Sequence, residues 1–372
     1  MRTKYGYFSR SIAFFLAAII CLSCVGCGKT NDTEIELAED EKLVVDCAGH
    51  QAIVPKKVNT IACLYAYTGH VATLLDCDQK MVAIVEGLKR DALMREKLPK
   101  IDEMPVPYTK GAINIEELAQ VNPDIAFIRA SHIENKGQLT KLEKLGIPYV
   151  VVEYETMEEQ INSIDVMGKA LSREDRSNSY IKYYKDTIKM VKDRVAKIPK
   201  KDLKRVYHSV NEVVRTDIPG TLSYEILDVA GCLNVVNEET KLNRDGDKAF
   251  VTVEQIYNWD PDIILVNEKS ATEYFKTDSK FEGLRAIENG NVIQLPIGMS
   301  RWGHPGSLES PLAALFIAKT LYPSYFEDID MSKTVQDFYR DFLNVELSEK
   351  EVDMLLSGEG MREGNSRKDV AA

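Results

Sequence analysis

Apolar residues recur along this chain in two rhythms. Short runs are apolar at every position, and the stretches between them carry apolar residues three or four apart. Residues 113–131 (INIEELAQVNPDIAFIRAS) show both rhythms and align without a gap with residues 251–269 (VTVEQIYNWDPDIILVNEK). In each copy two β-branched residues alternate with polar ones. A helical stripe follows, Leu118 and Val121 in the first copy, Ile256 and Trp259 in the second. Pro-Asp then stops the helix, because proline lacks the N–H and clashes with the preceding turn. Four apolar residues complete the copy as a short strand, around 125–128 and 263–266. A strand with no polar face is buried on both sides, as in a parallel sheet covered by helices.

More strand-like runs surround each copy: 60–64, 81–85 and 149–152 about the first, 205–210 and 292–295 about the second. The fold predicted is α/β, with two similar Rossmann-like lobes of mostly parallel sheet over 43–153 and 203–347. Residues 154–202 form the connection. There Ile161, Ile164, Gly168 and Leu171 make one stripe, and Tyr180, Tyr184, Ile188, Val191 and Val195 a second. Ser172-Arg173-Glu174-Asp175 between them is read as a capping box. The second helix, on the order of 40 Å long at 1.5 Å per residue, is expected to cross the molecule once. Ligands of open α/β sheets bind beyond the carboxyl ends of the strands, so the cleft between the lobes is the expected site.

The N-terminus departs from this pattern. Arg2, Lys4 and Arg10 precede an apolar run over 12–22 that is too short to span a bilayer of ~30 Å. A basic start, a short apolar core and small residues make a secretory signal. Cys27 between Gly26 and Gly28 is the lipidation candidate, with Cys24 second. This gives a signal peptide with lipobox over 1–27, a flexible tether over 28–42, and a charged, partly disordered tail over 348–372. The net charge of −11 argues against nucleic acid as a partner. Cys47, Cys63, Cys77 and Cys232 have no metal-type spacing, and their disulfide state stays open.

With these elements in place, the chain resembles the substrate-binding lipoproteins of bacterial ABC importers, in the class that carries ferric siderophores, haem and cobalamin. The resemblance runs over residues 43–343. Its carriers are VDCAGHQAIVPKKVNTIACLYAY, NIEELAQVNPDIAFI after PYTKG, the connecting helix, SYEILDVAGCLNVV, and RWGHPGSLESPLAALFIAKTLYP. It implies a periplasmic-binding-type fold with a stiff helical connector and limited closure. The chain would be a monomer tethered to the outer face of the membrane, with a permease and a separate ATPase as partners. It also implies docking through an acid on each lobe. Glu225 takes that position in the second lobe, while His70 stands where glutamate is expected in the first, with Asp76 and Asp78 nearby.

Candidate ligand contacts lie just past the predicted strands: Tyr65, Tyr67, Tyr108, Arg129, Arg215, Arg301, Trp302 and His304. Arginine forks bind carboxylate, phosphate or catecholate oxygens, and aromatic walls suit a partly apolar ligand. Three arginines converging on one cleft point to an anionic cargo, an iron chelate of the siderophore type. His304 is the one candidate for direct metal contact, or else caps the next helix; no intrinsic cofactor is expected. Cobalamin, haem or an oxyanion such as molybdate are alternatives, as is a sensory or structural lipoprotein. Catalysis is not expected. The sequence has no G-x-x-x-x-G-K-[ST] phosphate loop and no G-x-S-x-G elbow, since Ser307 lacks the second glycine.

Overall fold

The computed structural model describes residues 36–246 and 248–360. The signal segment, both lipidation candidates, most of the tether and the last part of the tail lie outside these residues. Strands β1 (Glu41–Val45) and β2 (Gln51–Pro55) pair as an antiparallel hairpin. The first lobe continues with β3 (Ile61–Cys63), β4 (Met81–Ala83), the short antiparallel pair β5 (Tyr108–Thr109) and β6 (Ala112–Ile113), then β7 (Ile125–Ile128) and β8 (Tyr149–Val151). The second lobe holds β9 (Arg205–Ser209), β10 (Arg215–Thr216), β11 (Leu233–Asn234), β12 (Asn243–Asp245), β13 (Lys248–Phe250), β14 (Ile263–Val266) and β15 (Val292–Gln294).

The two main sheets are parallel throughout and share one topology. Their orders are β4-β3-β7-β8 and β11-β9-β14-β15. In each, the first strand pairs with the second on one side and the third on the other. The third is the strand of the duplicated sentence, and all four residues of both β7 and β14 are buried. The fold is therefore α/β with two alike parallel-sheet lobes.

The duplicated Asn-Pro-Asp and Asp-Pro-Asp turns explain themselves in the structure. Helix α1 (Ile115–Val121) ends on Asn122 and α2 (Val253–Trp259) on Asp260, both left-handed at φ 45° and 42°. Asn and Asp tolerate that region better than other side-chain-bearing residues. The aspartate after the proline then pins the neighbouring strand. Asp124 Oδ2 accepts from the Asn59 and Thr60 N–H groups at 2.6 and 3.0 Å, and Asp262 Oδ2 from the Arg205 N–H at 2.9 Å. Their own N–H groups donate to the Thr60 and Arg205 carbonyls.

The connector differs from the single crossing expected. Helices α3 (Met157–Leu171) and α4 (Glu174–Val195) fold back on each other as an antiparallel hairpin. Gly168 permits the close approach, because a Cβ there would stand 2.3 Å from Ser177 Oγ. Tyr184 Oη donates to Gln160 Oε1 at 3.0 Å further along. The capping box read at Ser172 does not form. Ser172 is the left-handed residue that ends α3, and α4 starts without a side-chain cap. Thr156 and Glu159 form a capping box instead, at the start of α3.

This hairpin is bonded to both lobes. Tyr67 Oη and Ser163 Oγ meet at 3.0 Å on the first-lobe side. On the second-lobe side, Gln160 Nε2 donates to the Ser307 carbonyl at 2.9 Å, and Tyr180 Oη donates to the Leu308 carbonyl. A single buried apolar cluster runs from β1 through the hairpin to α5 (Ser310–Leu321) and α6 (Met331–Leu343). Part of the expected charged tail belongs to it as well. Residues 349–356 form helix α7 (Glu349–Leu356), whose Val352 and Leu355 are fully buried. The Ile297 N–H donates to the Leu355 carbonyl. Apolar residues at i and i+3 put one face of this helix inside.

Candidate ligand-binding site

A cavity of about 380 Å³ opens between the lobes, at the carboxyl ends of the strands. The first lobe supplies Arg129, from the residue after β7, and Glu153, Tyr154 and Glu155, just past β8. The second supplies Val210, Arg215, Asp217 and the turn 218–221, with Arg244 and Pro305 at the edge. At the junction the Leu222 N–H donates across the lobes to the Glu155 carbonyl, and Tyr154 Oη donates to the Pro305 carbonyl at 2.9 Å.

Arg129 is held in place. Its Nη2 and Nε donate to Glu153 Oε1 and Oε2 at 2.9 and 3.2 Å, and its guanidinium lies 4.8 Å over the Tyr65 ring. The Glu153 bonds raise its pKa further above the usual arginine range. His132 sits beside it, with its ring 4.2 Å from Tyr108 and its Nδ1 accepting from the Arg129 N–H at 3.3 Å. Burial, helped by the Arg129 charge, pushes the His132 pKa down to about 4. This imidazole is neutral at neutral pH and adds no charge to the cleft.

The second-lobe arginines are different. Arg215 and Arg244 have no ion-pair partner among the described residues, whereas Asp217 Oδ2 is bonded to the buried His208 Nδ1 at 2.5 Å. Glu153 is ion-paired with Arg129 and Asp217 is hydrogen-bonded to His208, so Arg215 and Arg244 are the two guanidinium groups of the lining without an ion-pair partner among the described residues, beside the exposed Glu155. Unpaired guanidinium forks of this kind favour ligands that present paired oxygens.

Arg129 and Arg215 thus meet in one cavity. The other sequence candidates do not line it. Arg301 is ion-paired with Glu268, which directly follows the duplicated strand β14 by two residues. Trp302 is fully buried, its ring edge-on to Phe316 at 5.9 Å, so it belongs to the core and not to the cleft. Tyr67 is buried behind Tyr65 and Tyr154, at ring distances of 6.0 and 4.6 Å. Tyr65 reaches the site through Arg129, and Tyr108 through His132. His304 Nδ1 accepts from the Gly306 N–H at 2.9 Å within its own turn, whereas α5 starts without the side-chain cap expected as its alternative, and Pro305 is the residue that reaches the cavity. Gly303 holds this loop close at φ +73°, where a Cβ would come within 3.0 Å of the His208 ring. Among the described residues no cluster of three metal-ligating side chains forms.

Comparison with known proteins agrees with this fold. A family profile described as "Periplasmic binding protein" matches residues 61–297, which covers both main sheets. The chain belongs to that family. It is 22% identical to the molybdate-binding protein MolA of Haemophilus influenzae, over 81% of this chain and 91% of that one. It is 24% identical to the Fe(3+)-citrate-binding protein YfmC of Bacillus subtilis, over 74% and 85%. A crystal structure of a periplasmic solute binding protein from Veillonella parvula superposes with a TM-score of 0.74 at 24% identity, covering 86% of this chain and 98% of that one.

Two positions that the resemblance assigns to docking are turned inward in this periplasmic binding protein. Glu225 is half-buried, and its Oε2 accepts from the Met157 N–H at 2.7 Å, capping the start of α3. His70 is buried, with Nε2 3.0 Å from Asp91 Oδ2. Cys47, Cys63, Cys77 and Cys232 are all free thiols. Arg244 and Tyr154 were missed from the sequence. Tyr154 sits at the signalled place, two residues past the strand run at 149–152, whereas Arg244 lies in a hairpin of three exposed polar residues that carries no apolar signal.

Proposed function

We propose that this chain is the extracytoplasmic binding component of an ABC importer and that its cargo is an iron(III) chelate rich in carboxylate or related oxygens. Membership of the periplasmic binding protein family supports the receptor role, and the two arginines of the interlobe cavity without an ion-pair partner among the described residues carry the choice of an anionic cargo. The chelate reading draws on the size of the cavity, about 380 Å³, which lies within the usual ~300–1,000 Å³ of small-molecule sites. It also draws on the relative named for iron(III) citrate. A protein of this kind needs no chemistry of its own, since the ATPase subunit supplies the energy. Export through the N-terminal signal and lipidation at Cys27 would keep it beside its permease.

A compact oxyanion is the second reading, favoured by the relative named for molybdate. Calorimetric titration of the purified protein with iron(III) citrate and with molybdate separates the two. Iron(III) citrate is expected to bind more tightly. Arg215→Ala is expected to weaken it at least about tenfold, as removal of a charged hydrogen-bonding partner does. Unchanged affinity in that variant sinks the assignment of the site. Tighter binding of molybdate replaces the chelate with the oxyanion.

A further inference from the structure

The second lobe holds another cavity beside the cleft, of about 360 Å³. It is formed by the turn and loop over 237–242, and it shares Ile218, Pro219 and Arg244 with the interlobe cavity. The two spaces therefore meet at one wall, and Arg244 stands on the rim common to both. The turn that closes the far side is fixed by its own bonds. The Asn237 N–H donates to Thr240 Oγ1 at 3.0 Å, and the Glu239 N–H to Asn237 Oδ1 at 3.0 Å. Arg244 lies on the exposed strand β12 and has no ion-pair partner among the described residues, within a chain of net charge −11. The lining is mixed: Ile218, Pro219 and Leu242 are apolar, Asn237 and Thr240 polar, and Glu238 acidic.

A compact anion seated at Arg215 in the interlobe cavity leaves this second space unused. An elongated ligand with one anionic group at Arg215 and another at Arg244 fills both. We propose that the second cavity is a subsite for an outer arm of the cargo, and that the cargo is an extended organic ligand with at least two separated anionic groups. Arg244 is the anchor between the arms, Ile218 and Pro219 are the apolar saddle the ligand crosses, and Glu238 disfavours a second anion deeper in the subsite. This inference rests on the interlobe cavity being the cargo site.

Three probes test it by calorimetry: molybdate, iron(III) citrate and the longer iron(III) complex of diethylenetriaminepentaacetate. Thr240→Trp, which fills the subsite, is expected to lower affinity for the longest probe at least about tenfold relative to the shortest probe that binds. Glu238→Lys, at an exposed position that does not endanger folding, is expected to tighten the longest probe by about threefold. The same affinity ratios in wild type and both variants overturn the subsite. Wild-type binding of molybdate with rejection of both polycarboxylate complexes also overturns it, while leaving the receptor reading intact. An Arg215→Ala variant that binds every probe as wild type does overturns the receptor reading, and the subsite falls with it.

Discussion

At the scale of single residues, the loop that reaches the cavity through Pro305 is held from behind by one buried acid. Glu309 is fully buried; its Oε1 accepts from Tyr339 Oη at 2.6 Å and its Oε2 from the Ser300 N–H at 2.9 Å. Gly298 leaves room for it, since a Cβ there would fall 2.0 Å from Oε1. Burial raises the Glu309 pKa above its usual 4.5, against the lowering effect of those bonds. A group whose folded pKa is raised gives stability that is fully present below the unfolded value and lost as pH rises through the folded one. Wild type should therefore gain stability over Glu309→Gln as pH is lowered from 7.5 towards 4.5. Urea midpoints of the two proteins at several pH values check this, and parallel curves refute it. Comparison with the variant matters because His132, with its lowered pKa, acts in the opposite direction and loses stability as pH falls from 6.5 towards about 4. That term is common to both proteins and cancels.

At the scale of elements, the duplicated segment is a strand with its own fastener. Asp124 and Asp262 sit at corresponding places in the two lobes and pin the strand beside them through main-chain N–H groups. Asp124→Ala should cost about 1 kcal/mol in chemical denaturation, the usual net contribution of hydrogen bonds at an exposed to half-buried position. Asp262→Ala should cost a similar amount, and the pair should add, because the sites lie in different lobes. A double variant as stable as either single one contradicts the separate roles. The strands and this turn were legible in the sequence because fully apolar runs and Pro-Asp both act locally. The cleft was legible only in part. Arg129 directly follows β7 and Arg215 opens β10 six residues past the end of β9, and the ends of β7 and β9 can be placed from pattern alone. Trp302 and Tyr67 also follow strands, yet both rings turn into the core, and only packing against Phe316 and Ser163 fixes that direction. The copies part at Arg129, which faces Asn267 in the alignment. Each lobe still forms an Arg–Glu pair here with the order reversed: Arg129 follows the repeated strand with Glu153 as partner, and Glu268 follows it with Arg301 as partner. Arg301 was expected at the ligand, but it is engaged in the pair that its own lobe requires.

At the scale of the whole molecule, the helical hairpin sets how the lobes behave. The stripes of α3 and α4 were plain in the sequence, but their folding back was not. It depends on Gly168 against Ser177 and on Ser172 in a left-handed turn, and neither leaves a periodic trace. Gln160 is the residue on which the assembly converges, fully buried and bonded to both Tyr184 and the Ser307 carbonyl. Gln160→Leu keeps the bulk and removes both bonds, and should lower stability by about 2 kcal/mol or more in urea unfolding. A wild-type midpoint would mean that these two bonds add nothing to stability. Bonded to both lobes along its length, the hairpin works as a leaf spring and not as a pivot. A pivot rests wherever it is left, whereas a spring has one position of rest and comes back to it unaided. A receptor whose lobes are joined in this way is expected to return to its vacant arrangement when its cargo is drawn off.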